Sequence, residues 1–87
     1  MLYTLDFADD WDVYFKRFDK SVQGKITKKI LHLKQPHSSR HMKHGLPFLV
    51  EDVGGYRIVF IVIEKEMMKR IEFVGTHKQY EKWYREQ

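Results

Sequence analysis

Arginine holds phosphate well, and histidine moves protons well near neutral pH. This chain of 87 residues sets one of each at the ends of neighbouring apolar runs. Arg57 follows Gly54-Gly55-Tyr56 and then alternates with Val59, Ile61 and Ile63. A guanidinium in such a row is costly to bury without a partner. It is expected to emerge at the sheet end, either gripping a phosphate in bidentate fashion or paired with Glu51, Asp52 or Glu72. His77 lies in Gly75-Thr76-His77-Lys78-Gln79-Tyr80, at the end of the last apolar run. It is either an ordinary surface histidine or a general acid–base group.

Other side chains could serve such a centre. Tyr80, Trp83 and Tyr84 have helical spacing and could stack on bases, although packing of a tail helix onto a sheet explains most of them equally well. His37, His41 and His44 follow the pattern H-x3-H-x2-H, which on a helix could bind metal. Pro36 and Gly45 bracket that stretch, and no Cys or carboxylate joins it. These histidines, with Arg40 and Lys43, read instead as polar loop residues near a polyanion. The sequence has no Gly-rich phosphate loop and no nucleophile motif, and no metal site or cofactor is expected.

Charge is unevenly distributed within the net +4. Asp6, Asp9, Asp10, Asp12 and Asp19 make the start acidic. Residues 20–47 carry Lys20, Lys25, Lys28, Lys29, Lys34, Arg40 and Lys43 with no acid at all. A local basic stretch is the electrostatic footprint of a polyanion binder, or simply a solvated helix face.

The elements that position these residues follow from periodicity. Leu2–Phe7 alternates as a short strand. Trp11, Tyr14, Phe15 and Phe18 fall at i, i+3, i+4, i+7 and predict a helix over residues 8–18. Asp19 can cap the next helix, over residues 20–34, with Val22, Ile26, Ile30 and Leu33 on one face. Lys25, Lys28 and Lys29 lie on the other face, available to a polyanion. Pro36 stops it. Residues 36–47 are a loop, and Phe48–Val53 is a strand. Gly54-Gly55 is a hairpin signal, and Tyr56–Glu64 is a central strand, apolar on both faces. Lys69–Gly75 is the last strand, with Ile71 and Phe73 expected on one face. A short helix follows.

The result is one α+β domain spanning residues 1–87, in the order β-α-α-β-β-β with a terminal helix. A mainly antiparallel four-stranded sheet carries the two early helices on one face. With 43% hydrophobic and 32% charged residues the chain is globular rather than disordered. The lack of cysteine excludes a disulfide scaffold. No apolar run reaches the ~20 residues that span a bilayer, and no signal peptide is seen, so a soluble cytoplasmic protein with no membrane partner is expected.

Together these pieces resemble the RelE superfamily of type II toxins. Leu2-Tyr3-Thr4-Leu5-Asp6-Phe7 looks like the opening of RelE, and Lys25-Ile26-Thr27-Lys28-Lys29-Ile30 with Leu33 looks like its second helix. Gly55-Tyr56-Arg57-Ile58-Val59-Phe60 is similar to the family's Gly-Tyr-Arg-Leu-Val-Tyr strand. Phe73-Val74-Gly75-Thr76-His77 with Tyr80 looks like the Gly-Thr-His-x-x-Tyr motif of the HigB- and YafQ-like branches. The resemblance implies a metal-independent endoribonuclease that cuts mRNA, often on the ribosome, by attack of the 2′-hydroxyl on the adjacent phosphate. It implies an antitoxin partner that blocks the site.

Carried over by position, Arg57 would stabilise the phosphate and His77 would be the acid–base group. Tyr80 is the motif tyrosine, and Tyr84 a second candidate for stacking or proton handling. Two lysines of RelE fall near Phe48 and Val50 here, which cannot bind phosphate. Arg40, His41, Lys43 and His44 are the candidate substitutes. The related ParE branch keeps a similar fold, acts on DNA gyrase and lacks the ribonuclease residues. A toxin-fold protein without nuclease activity, or a basic RNA-binding module, is the alternative.

Overall fold

A computed structural model describes residues 2–36 and 47–87. Strand β1 (Thr4–Phe7) leads through a 3-10 turn (Phe15–Arg17) into helix α1 (Lys20–His32). Strands β2 (Leu49–Val53), β3 (Tyr56–Ile63) and β4 (Met68–Thr76) follow, with a second 3-10 turn at Glu64–Glu66, and helix α2 (His77–Arg85) closes the chain. The strands form one sheet in the order β1-β4-β3-β2. Tight connections make β2–β3 and β3–β4 antiparallel. The longer excursion through α1 and β2–β3 lets β1 lie parallel to β4 at the sheet edge. The architecture is thus α+β, with a mainly antiparallel sheet made mixed by the one parallel pair, β1 with β4.

Helix α1 starts where the sequence predicts. The Asp19 carboxylate accepts a hydrogen bond from the Val22 amide at 2.9 Å, satisfying one of the free N–H groups of the first turn. Ile26, Ile30 and Leu33 then bury against Ile58, Phe60, Ile71 and Val74 on one sheet face. Each such side chain contributes about 1.5–3 kcal/mol of burial free energy. Strand β3 is covered on both faces, since Ile58, Val59 and Phe60 are all 0% exposed.

Two local expectations are corrected. Residues 8–18 do not form one continuous α-helix; only Phe15–Arg17 makes a 3-10 turn. Asp10 sits in the left-handed region at φ 65°, which breaks a right-handed helix before it can propagate. The segment instead runs along the sheet edge, where the Ala8 amide donates to the Ile71 carbonyl at 2.9 Å and the Val74 amide to the Trp11 carbonyl at 3.3 Å. Its aromatic spacing serves two layers. Trp11, Phe15 and Phe18 pack on the α1 side, whereas Tyr14 reaches the other cluster and meets Phe73 edge-on at 5.9 Å. The Gln23 side-chain amide donates to the Phe15 and Phe18 carbonyls, 3.1 Å each, and fastens this turn to α1.

The second correction concerns β4. Ile71 and Phe73 lie on opposite faces, although they are two residues apart. Val59 pairs with Phe73, but Phe60 pairs with Ile71, so Glu72 is an extra residue, a β-bulge. The bulge reverses the alternation. Ile71 joins the α1 side, and Phe73 joins Val50, Val59 and Tyr80 on the other face. Helix α2 covers part of that second face.

Candidate active site

The site is built from two turns at one end of the sheet. The first is the β2–β3 hairpin. Gly54 adopts φ 57°, which a side chain would strain, and closes the turn between Val53 and Tyr56. This places Asp52 directly opposite Arg57. The second is the passage from β4 into α2. Thr76 is the N-cap and its hydroxyl accepts from the Gln79 amide at 3.2 Å, while the Gln79 side-chain oxygen accepts from the Thr76 amide at 2.8 Å. This reciprocal capping box explains the Thr-x-x-Gln spacing. Gly75 is required by crowding. A Cβ there would lie 2.8 Å from the Phe73 ring and 2.9 Å from the Gln79 side-chain oxygen.

The sheet register joins the two turns. Arg57 pairs with Gly75 and Tyr56 with Thr76, after which the chain enters α2 at His77. Arg57 and His77 therefore sit at the same sheet end, one half-buried in β3 and the other exposed at the first position of α2.

Arg57 is held from two sides. Its Nε lies 3.3 Å from Asp52 Oδ1, and its guanidinium carbon lies 4.8 Å from the centroid of the Tyr80 ring. Of the three acids named as possible partners, the hairpin register selects Asp52. Tyr80 is only 3% exposed. Burial pushes its phenol above the ordinary tyrosine value, opposed by the neighbouring Arg57 charge. A buried phenol that keeps its proton is a hydrogen-bonding and ring-stacking group, while His77 stands in contact with solvent.

The remaining aromatics hold α2 down. Trp83 stacks on Phe73 at 5.2 Å, and Phe48 meets Trp83 edge-on at 5.0 Å. Tyr84 is half-buried and stacks on Tyr80 at 5.8 Å. Val50 is buried in the same cluster. Phe48 and Val50, near which the two lysines of RelE align, thus form part of the seat for α2. Arg40, His41, Lys43 and His44, named as substitutes for those lysines, lie outside the described residues.

Lys25, Lys28 and Lys29 line a groove of about 310 Å³ between α1 and the end of β2, with Asp52 and Val53 on its far wall. His32 completes the stripe at the next helical turn and was not singled out from the sequence, although its spacing from Lys25, Lys28 and Lys29 carries the signal. Lys29 is 3.5 Å from Glu51. Asp52 therefore borders both the lysine groove and the Arg57 centre.

Two prominent features lie on the α1 side, away from Arg57. Lys69 is 3% exposed. Its ammonium donates to the Gln35 carbonyl at 3.1 Å and lies 4.6 Å from the Tyr3 ring centroid. Burial lowers its pKa, with Glu51 and Glu64 pulling the other way. A groove of about 570 Å³, lined by Leu5, Phe7, Trp11, Phe15, Ile30 and Leu31 among others, lies beside β1. It offers mainly apolar walls and no acid–base pair. Among the described residues, no helix is long and apolar enough to cross a membrane.

No protein-family model matches the chain, and no curated protein sequence matches it. Solved structures do. A variant of the E. coli toxin RelE in the free state is 19% identical with a TM-score of 0.75, covering 97% of this chain and 93% of that one. The toxin–antitoxin complex RelBE2 of Mycobacterium tuberculosis gives a TM-score of 0.76 at 11% identity, covering 88% and 93%. The RelB–RelE complex of Methanococcus jannaschii gives 0.70 at 16% identity, covering 91% and 98%. At these identities the likeness speaks for the arrangement of the backbone, and by that measure the chain has the RelE toxin fold.

Proposed function

We propose that the protein is the toxin of a type II toxin–antitoxin pair and an endoribonuclease that cleaves mRNA, acting on the ribosome. The observation that supports this reading is the strand register, which sets Arg57 and the start of α2 at His77 at one sheet end within a RelE fold. RNA supplies its own nucleophile. The 2′-oxygen attacks phosphorus and the bond to the 5′-oxygen breaks, leaving a 2′,3′-cyclic phosphate and a 5′-hydroxyl. The enzyme must move protons off the nucleophile and onto the leaving oxygen, and must stabilise charge on the phosphate. His77 is the exposed acid–base group, and Arg57 the charge stabiliser. Tyr80, buried beneath the guanidinium, acts by holding Arg57, and Tyr84 lies beside it to take a base. Lys25, Lys28 and Lys29 receive RNA phosphates.

The neighbouring RelBE structures are complexes with an antitoxin, and the partner proposed here is likewise a small acidic antitoxin. Expression without it is expected to arrest growth. Primer extension on translated mRNA should reveal new 5′ ends with wild type. His77→Ala and Arg57→Ala should lower cleavage by about 10²–10⁴. Cleavage unchanged by both substitutions would remove the assigned site.

A second reading, a toxin-fold protein that binds its target without cutting RNA, draws on Phe48 and Val50. Both are occupied in packing under α2, so the second face carries no lysine at those positions. Growth arrest with intact mRNA and altered DNA topology would favour it. Salt-sensitive RNA binding without toxicity would favour a plain RNA-binding module.

A further inference from the structure

We propose that Asp52 is a positioning residue for Arg57, fixing the guanidinium so that its terminal nitrogens present to the scissile phosphate; this rests on the ribonuclease reading above. Three observations converge on it. Asp52 and Arg57 are direct cross-strand partners next to the two-residue turn, so the hairpin itself sets their separation. Asp52 Oδ1 and Arg57 Nε lie 3.3 Å apart as an ion pair short of hydrogen-bond geometry, and both atoms are buried although the side chains keep 30% and 22% exposure. The guanidinium also lies over the Tyr80 ring, at 4.8 Å.

An arginine carries five N–H donors in one rigid plane. Here Nε lies beside a carboxylate, and the guanidinium carbon lies over the Tyr80 ring. Contacts from two residues together restrict rotation of the whole group. The Nη end is the part that can grip two phosphate oxygens. Without the carboxylate, the side chain keeps its charge but can turn about its last bonds. Misplacement of a charge-stabilising group by about 1 Å can cost up to 10²-fold in rate.

Two competing roles make different predictions. A purely structural ion pair would show itself in unfolding and not in catalysis. A carboxylate that merely cancels the arginine's charge would, once removed, raise activity and phosphate affinity.

The test uses the full chain with Asp52→Ala and Asp52→Asn. Asp52→Ala is expected to lower kcat on RNA by about 10- to 100-fold with KM changed much less, because ordering matters most in the transition state. Asp52→Asn, which keeps the size of the side chain and an oxygen beside Nε, should recover most of the loss. In nitrogen-15 NMR spectra, the Arg57 Nε–H should exchange slowly in wild type and in Asp52→Asn, and quickly in Asp52→Ala. Thermal unfolding of each variant separates misfolding from mispositioning.

The proposal is overturned if Asp52→Ala matches wild type in kcat while Arg57→Ala is inactive. It is also overturned if Asp52→Ala is more active, or if the Nε–H exchanges alike in wild type and Asp52→Ala. A wild-type protein that cuts no RNA would sink the ribonuclease reading alone. The NMR comparison would then still decide whether Asp52 holds Arg57.

Discussion

Arg57 in β3 stands directly opposite Gly75 in β4, and that pairing brings the start of α2 beside the guanidinium. The absence of a side chain at Gly75 lets the Phe73 ring and the Gln79 side chain close over the strand end. Gly75→Ala should push both aside, opening the Thr76–Gln79 capping box. The expected cost is about 1–3 kcal/mol, a fall in Tm of several degrees or more in a domain of this size. Thermal unfolding checks it. If Gly75→Ala unfolds like wild type, the close approach does not govern the turn.

Gly24 gives the opposite sign. It lies inside α1, at the surface, and a Cβ built there meets nothing within 4 Å. Gly24→Ala should stabilise the protein by about 0.5–1 kcal/mol, because alanine loses less backbone entropy in a helix. Denaturant unfolding should show a raised midpoint with an unchanged slope. A lowered midpoint would mean that α1 is not a regular helix at this position.

Lys69 predicts a pH dependence. Burial lowers its folded pKa below the ordinary 10.5 of the unfolded chain. Between those two values the unfolded chain binds more protons, so this group's contribution to stability rises with pH. Lys69→Met removes that dependence along with the hydrogen bond to Gln35. The stability of wild type relative to Lys69→Met should therefore grow as pH rises toward 10.5. Denaturant melts of both proteins across the alkaline range measure the difference. A gap that shrinks with rising pH would contradict the burial of the charged form.

The basic stripe makes a prediction about salt. Each phosphate contact to single-stranded RNA contributes about 0.7 to the slope of log K against log salt. Replacing Lys25, Lys28 and Lys29 together by Ala should lower the slope by about 2 if each lysine meets one phosphate. RNA titrations at several salt concentrations read it directly. An unchanged slope would leave the stripe as a solvated helix face.

Local chemistry in the sequence determined much of this protein. Asp19 capped α1, Gly54-Gly55 turned the hairpin, and Tyr56–Ile63 formed the doubly covered central strand, because each depends on neighbours a few residues away. The Gly-Thr-His-x-x-Tyr run likewise read correctly as the end of a strand and the start of a helix. Tertiary structure decided the rest. Aromatic spacing over residues 11–18 imitated a helix, because rings plugging two layers around a sheet edge can repeat at the same intervals. The bulge at Glu72 was invisible to alternation, since it is a mismatch between two strands and belongs to neither alone. The choice of Asp52 over Glu51 and Glu72 as the partner of Arg57 also came from pairing, which puts one carboxylate opposite the guanidinium and sends Glu51 to Lys29 and Glu72 to Arg70. Periodicity reports what a segment prefers by itself, whereas register and bulges are set only when strands meet.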